Sequence, residues 1–248
     1  MYNFKSLKAS YKIHLTHQWP DFTLNRYSSR MMVSARRCDG HYEFTLENRI
    51  NVRLDGKPPA GIMDCLMMQL GNSLFPLTLQ VSDDGKLYAV KNIEEVKQRW
   101  HKEADEMLKT HSTTEFKTYL EMASGNVAGE KQLVRSLAKD SFIQLFFLSY
   151  GSKVLEIDWF NFPRPGQKTT CYARRKADEL NYILSPAFND DEVEQAAGTL
   201  SYRKFPSGEL ENMKATFYLS TREGKVYRKG VTLVVDPGQR QVKTGLFL

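Results

Sequence analysis

The chain has 248 residues, 41% hydrophobic and 12% aromatic, which supplies a buried core and argues against a disordered chain. Its formal net charge of +6 is attractive to polyanions, but acidic and basic residues are interleaved, which favours a mixed solvated surface. No stretch reaches the roughly 18 consecutive apolar residues of a membrane-spanning helix. Residues 1–20 hold no long apolar run, so we expect no secretory signal.

The cysteines are odd in number and widely spaced, at Cys38, Cys65 and Cys171. No pair has the close spacing of a CxxC motif, so the sequence predicts neither a disulfide framework nor a structural zinc site. Free thiols suit a reducing compartment, and we expect a cytoplasmic protein.

The first third of the chain reads as β-strands. Residues 7–17 alternate between apolar and polar side chains, which places each set on its own face of a sheet. In residues 42–54 the same alternation predicts an apolar face that ends with Ile50, Val52 and Leu54. It predicts a wet face that includes Glu43 and Arg49. A short helix is expected over 62–70, followed by a hairpin over 75–90 that turns at Asp83-Asp84-Gly85.

The period changes at Asn92, which has Glu95 three residues later, as at the start of a capped helix. Apolar residues four apart then predict a first helix through Leu108. Further helices are expected over 114–123 and 130–150. Alternation returns from Lys153 and continues to residue 236.

The order of strands, helices and strands predicts an α+β fold. We expect one domain over residues 1–248, with strands in 7–91, a helical segment in 92–150 and strands in 153–236. Its core would be a long twisted antiparallel β-sheet, half-barrel-like, with the central helical segment packed on one face. The hairpin and helix in 75–100, FPLTLQVSDDGKLYAVKNIEEVKQRW, resemble a segment of bacterial proteins. The resemblance implies no activity and no site residue.

Catalytic motifs are not apparent, and we predict no catalytic residue, no cofactor and no metal site. The five histidines, His41 among them, lack the spacing of metal ligands. Glu156 and Asp158 lie two apart on a predicted strand and would share a face. Such a pair serves acid–base catalysis only if burial separates the two pKa values, and a solvated strand face is favoured.

Aromatic residues cluster at the end of the helical segment and in the next strand. They would either fill the core or line a cavity for a small hydrophobic ligand, and core packing is the favoured interpretation. The candidate ligand-binding residues are Phe146, Tyr150, Trp159, Phe160 and Phe162.

Basic residues occur in short runs with tyrosines nearby, a pattern that can bind single-stranded nucleic acid. Adjacent residues of a strand point to opposite faces, however, which halves each apparent patch, so nucleic acid is a possible but not a favoured partner. The candidate polyanion-binding residues are Arg174, Arg175, Lys176, Arg203, Lys204, Arg228 and Lys229.

Three functions follow from these patterns. The leading hypothesis is a non-enzymatic binding or assembly protein, a subunit of a larger bacterial machine whose partners are other protein subunits. The first alternative is a carrier that holds a hydrophobic or lipid-like ligand in a cavity of the curved sheet. The second is a hydrolase that uses carboxylates such as Glu156 and Asp158.

Overall fold

A computed structural model describes residues 5–21, 23–83, 85–148, 156–160, 162, 167–175, 181–187 and 193–243. Within these ranges it describes the backbone alone for residue 148 and for 156–160, 173–175 and 181–187. The strands are β1 (Ser6–Gln18), β2 (Leu24–Cys38), β3 (His41–Leu54), β4 (Leu77–Ser82), β5 (Leu87–Val90), β6 (Glu156–Phe160), β7 (Lys168–Arg175), β8 (Asn181–Ala187), β9 (Val193–Lys204), β10 (Leu210–Thr221) and β11 (Val226–Lys243). The helices are α1 (Ile62–Asn72), α2 (Ile93–Thr110), α3 (Thr114–Gly125), α4 (Glu130–Leu137) and α5 (Ser141–Leu148).

The strands of the described chain form one antiparallel sheet of eleven strands, in the order β5-β4-β3-β2-β1-β11-β10-β9-β8-β7-β6. Two meanders, one on each side of the helical segment in sequence, are therefore joined where β1 pairs with β11. The predicted fold class is confirmed: the chain is α+β, with a long twisted antiparallel sheet.

One face of the sheet carries the helices, and we call it the inner face. Leu7, Ala9, Tyr11 and Ile13 of β1 point to it and are at most 3% exposed, as the alternation predicts. Its centre packs against α5. The Tyr11 ring lies 5.1 Å from the Phe146 ring, and the Phe44 ring lies 5.0 Å from the Phe147 ring.

The segment expected to form one helix over 130–150 forms two helices in the structure, because the helical conformation is interrupted between Leu137 and Ser141. Asp140 lies in the break, and its Oδ1 accepts hydrogen bonds from the backbone N–H groups of Phe142 (3.0 Å) and Ile143 (3.1 Å). A carboxylate that satisfies free N–H groups starts a helix in this way.

The wet face predicted for β3 is wrong at Arg49. Pairing of β2 with β3 shifts register between Met31 and Val33 and again between Ser28 and Arg30, and each shift inserts one extra residue in β3. A β-bulge of this kind reverses the faces of the residues that follow it. Arg49 therefore pairs with the buried Met31 on the inner face, whereas Ile50 is 52% exposed.

Candidate ligand-binding site

Among the aromatic residues predicted to bind a ligand, the structure describes the side chains of Phe146 and Phe162. Phe146 is fully buried among Tyr11, Phe44 and Phe142, and Phe162 packs 5.9 Å from Phe217. Trp159 and Phe160 lie on β6, where only the backbone is described, and Tyr150 lies outside the described residues. The two described side chains thus occupy packed surroundings, and a ligand-binding role for this set stays a prediction.

The four predicted basic residues whose side chains the structure describes divide between the two faces of the sheet, as adjacent residues of a strand do. Arg203 is exposed and pairs with Glu211 at 2.7 Å, and Arg228 lies over the Tyr218 ring at 5.6 Å. Lys204 is half-buried beside the Tyr202 ring, and burial lowers its pKa.

Lys229 is 6% exposed on the inner face. Arg174 and Arg175 are described by backbone only, and Lys176 lies outside the described residues. The four described side chains therefore do not share one surface, and polyanion binding by the whole set stays a prediction.

A cleft of about 630 Å³ lies between the inner face of the sheet and the helices. Its volume falls within the roughly 300–1,000 Å³ of small-molecule sites. Side chains from β3, α1, α4 and α5 form its apolar walls, together with the segment between α1 and β4. Six of the apolar lining residues are Met67, Met68, Leu74, Phe75, Leu137 and Ile143.

Arg49 brings a cation into this apolar cleft. Its Nη2 donates to Oδ2 of Asp140, and its guanidinium carbon lies 5.8 Å from the centre of the Phe75 ring. Burial disfavours the charge, but the Asp140 carboxylate and then Tyr27 outweigh burial, so that the pKa of Arg49 lies above its ordinary value. Arg49 is therefore a permanent donor.

One hydrogen-bond donor of Arg49 is unsatisfied. Its Nε is shielded from solvent and has no hydrogen-bond partner among the residues that the structure describes. A buried donor without a partner costs about 1–3 kcal/mol. Arg49 lines the cleft and its side chain is 26% exposed, so its guanidinium can donate to an acceptor oxygen on a bound molecule.

The charges around the cleft balance one another. Arg49 and Lys139 are its lining cations, and Asp64 and Asp140 are its lining carboxylates. Tyr119 also lines the cleft, and burial raises the pKa of its hydroxyl, so this group stays protonated at neutral pH. The polar chemistry thus suits a ligand with a hydrogen-bonding oxygen rather than one with a high net charge.

Helix α1 has open space beside the cleft at Gly71. This glycine lines the cleft, and a Cβ atom built on it would meet no atom within 4 Å. Met67 lines the same cleft and is 40% exposed, and Met63 of the same helix is 37% exposed. Flexible methionine side chains adapt to ligands of varied shape, so α1 forms an adaptable wall.

Sequence reasoning missed this site because its key residue, Arg49, reads as solvent-facing in strict alternation. The one signal was the polar interruption Glu47-Asn48 between Leu46 and Ile50. That interruption marks the position of the first bulge in the structure.

The carboxylates proposed for a hydrolase lie on β6, where Glu156 pairs with Tyr172 and Asp158 with Thr170. Their side chains lie outside the described part of the structure, so this alternative stays a prediction. Within the described residues, no helix is both long enough and apolar enough to cross a membrane.

Comparisons with known proteins assign no family. No family model matches the sequence, and no curated protein matches it either. A solved structure described as "Lipid-protein interactions in lipovitellin" covers the whole of this chain with a TM-score of 0.45 and 11% sequence identity. The chain covers 26% of that structure's length, and the likeness assigns neither a family nor an activity.

Proposed function

We propose that the protein binds and carries a lipid-like small molecule in the cleft between α1 and the inner face of the sheet. The observation that carries the proposal is Arg49, a cation with a shielded and unsatisfied Nε in an otherwise mostly apolar cleft. The apolar part of the ligand would lie against Met68, Phe75 and Ile143. Its carbonyl, ester or carboxylate oxygen would accept from Arg49.

The physical basis is the pairing of apolar area with one oriented polar contact. Burial of apolar surface contributes roughly 25 cal/mol per Å², and a hydrogen bond to a charged group contributes about 1.5–3 kcal/mol. The apolar walls would supply most of the affinity. Arg49 would fix the orientation of the ligand.

The first test is retention and binding by the purified full-length protein. Native mass spectrometry should show a co-purified small molecule, and a dansyl-labelled fatty acid should bind saturably and be displaced by oleic acid or methyl oleate. If no small molecule is retained and the labelled fatty acid does not saturate the protein, the proposal fails.

Substitutions of Arg49 and Gly71 locate the ligand. Gly71→Phe should fill the cleft and Arg49→Met should remove its donor, and each should weaken binding by about tenfold or more. Gly71→Ala, Arg53→Met and Gly125→Phe are matched controls. Arg53 is exposed on the same strand as Arg49, and Gly125 ends another helix beside open space. If the control variants lose as much affinity as Gly71→Phe and Arg49→Met, the ligand binds outside the cleft.

The Arg49→Met variant leaves the Asp140 carboxylate without its partner, which is itself destabilising. The double variant Arg49→Met with Asp140→Asn removes that charge while keeping an oxygen to start α5. If the double variant is folded but still binds weakly, the loss belongs to the Arg49 donor rather than to unfolding.

The hypothesis of an assembly subunit stays a prediction, and it is tested by a separate measurement of oligomeric state. The edge strands of the described sheet are β5, with four residues, and β6, with five, and short edges offer little backbone for strand addition. Light scattering on the ligand-free and ligand-loaded protein would reveal any partner copy.

A further inference from the structure

Three side chains with metal-ligating atoms meet at the turn between β2 and β3. The ligand atoms of Cys38, His41 and Glu43 all lie within 4.8 Å of one another. Cys38 pairs directly with His41 across the turn, and Glu43 follows two residues later on β3, so that the three side chains share one face. Gly40 makes the tight turn with φ of 75°, a conformation that glycine adopts without strain.

His41 is held in the form that binds a metal ion. Its Nδ1 lies 3.1 Å from the backbone oxygen of Asp39. A carbonyl oxygen can only accept, so in the neutral imidazole Nδ1 carries the proton and Nε2 keeps a lone pair. In metal sites, the ligating histidine usually donates its other N–H to such a carbonyl or to a carboxylate.

The lone pair of His41 has no other use among the described residues. Nε2 is shielded from solvent and has no hydrogen-bond partner there. A shielded acceptor of this kind carries a cost of about 1–3 kcal/mol. A metal ion bound at Nε2 would remove that cost. The unpartnered Nε2 therefore supports a metal site independently of the clustering of the three residues.

We propose that Cys38, His41 and Glu43 bind a divalent transition-metal ion of the Zn²⁺ class, with a fourth position left to water. A thiolate, an imidazole and a carboxylate together match the ligands that zinc takes. Ligand atoms of a tetrahedral zinc site lie roughly 3.3–3.8 Å apart. Side-chain movements of about 1 Å would bring the three ligand atoms to these separations around the ion.

Two cations compete with the metal for Glu43. Lys91 Nζ lies 2.5 Å from Oε1, and Arg36 Nε lies 2.8 Å from Oε2. Each carboxylate oxygen has a second lone pair for a metal, but nearby positive charge lowers the affinity. Removal of Lys91, whose side chain is 49% exposed, should therefore tighten metal binding.

The test uses the full-length protein, treated with a chelator and then titrated with Co²⁺ as a spectroscopic probe. One equivalent should produce a thiolate-to-cobalt charge-transfer band that Zn²⁺ abolishes. Cys38→Ser should eliminate the band, and His41→Ala should weaken binding by about tenfold or more. Lys91→Met should strengthen it severalfold.

Cys65→Ser and His101→Ala are the matched controls, since neither residue belongs to the cluster. Both variants should keep the band and the affinity of the parent protein. Circular dichroism establishes that each variant is folded, and Glu43→Gln, which keeps the shape of the side chain, tests the third ligand. A missing band, a band that survives Cys38→Ser, or a band lost in Cys65→Ser would overturn the proposal.

Discussion

Lys229 places an amine on the inner face of the sheet, opposite His17 on β1 and Phe217 on β10. The residue is 6% exposed. Burial lowers its pKa from 10.5 to about 8, and the Asp140 carboxylate opposes the shift. A shift of this size corresponds to a cost of about 3 kcal/mol for the protonated folded state.

The sign of the pH dependence follows from proton counts. Below about pH 8 both states are protonated and the full cost is present. Between about pH 8 and 10.5 the unfolded state holds more protons than the folded state, so this group makes the folded protein more stable as the pH rises.

We therefore expect Lys229→Met to raise the free energy of unfolding at neutral pH, by up to about 3 kcal/mol. The gain should shrink as the pH approaches 10, because the amine of the parent protein is then neutral. Urea denaturation at several pH values measures both effects. Lys214→Met, an exposed lysine on β10, should show neither effect. A Lys229→Met variant that is less stable at every pH would contradict the pKa argument.

The positions of some single residues could be predicted from the sequence, and those of others could not. The buried apolar residues of β1, from Leu7 to Ile13, and of β10, from Met213 to Leu219, follow from alternation. Arg49 does not follow from it, because the bulge between Leu46 and Arg49 of β3 reverses its face. Cys38 and His41 were predicted to bind no metal, because their spacing resembles no zinc motif. Their proximity to Glu43 comes from the pairing of β2 with β3.

At the scale of the element, helix α5 depends on one carboxylate with two tasks. Oδ1 of Asp140 accepts the N–H groups of Phe142 and Ile143, and Oδ2 accepts from Arg49. The sequence predicts one continuous helix here, since the apolar period of α4 runs into residues 142–148, which are apolar on nearly all sides. Asp140 in this break pairs with Arg49, which is 91 positions away in sequence and thus beyond any local pattern.

Two substitutions separate the tasks of Asp140. Asp140→Asn keeps an acceptor for the N–H groups but removes the charge opposite Arg49, and we expect a loss of about 2 kcal/mol. Asp140→Ala removes both and should cost about 1 kcal/mol more. Denaturation in urea measures each loss, and Asp105→Asn on the exposed side of α2 should cost under about 0.5 kcal/mol. Equal losses for Asn and Ala would mean that the contacts to Phe142 and Ile143 contribute nothing.

At the scale of the whole molecule, the two meanders are joined by strand pairing and by a side-chain hydrogen bond. β1 lies between β2 and β11, and the Tyr11 hydroxyl on β1 donates to the backbone oxygen of Leu210 on β10 at 3.1 Å. The strands themselves could be predicted from alternation and turn residues. Their order could not, because the pairing of β1 with β11 joins segments more than 200 residues apart, as in Ile13 with Leu233.

Because this junction joins the two meanders, we expect that neither meander folds alone. A fragment of residues 1–152 would leave β1 as an unpaired edge of 13 residues, and a fragment of 153–248 would leave β11 as one of 18 residues. Long unpaired edges promote aggregation. We expect each fragment to lack a cooperative thermal transition, and the two fragments, co-expressed with a tag on one, to co-purify as a one-to-one complex that unfolds cooperatively.

Substitutions at the junction test whether the complex uses the native pairing. Ile13→Asp places a charge on the buried face opposite Leu233 and should abolish the complex. Lys12→Asp, one residue earlier and on the exposed side, should leave it intact. If each fragment instead melts sharply by itself as a monomer, the chain holds two domains, and the expectation of one domain over 1–248 is wrong. If the complex of both fragments instead shows one cooperative unfolding transition, the β1–β11 pairing joins the two meanders into a single folding unit.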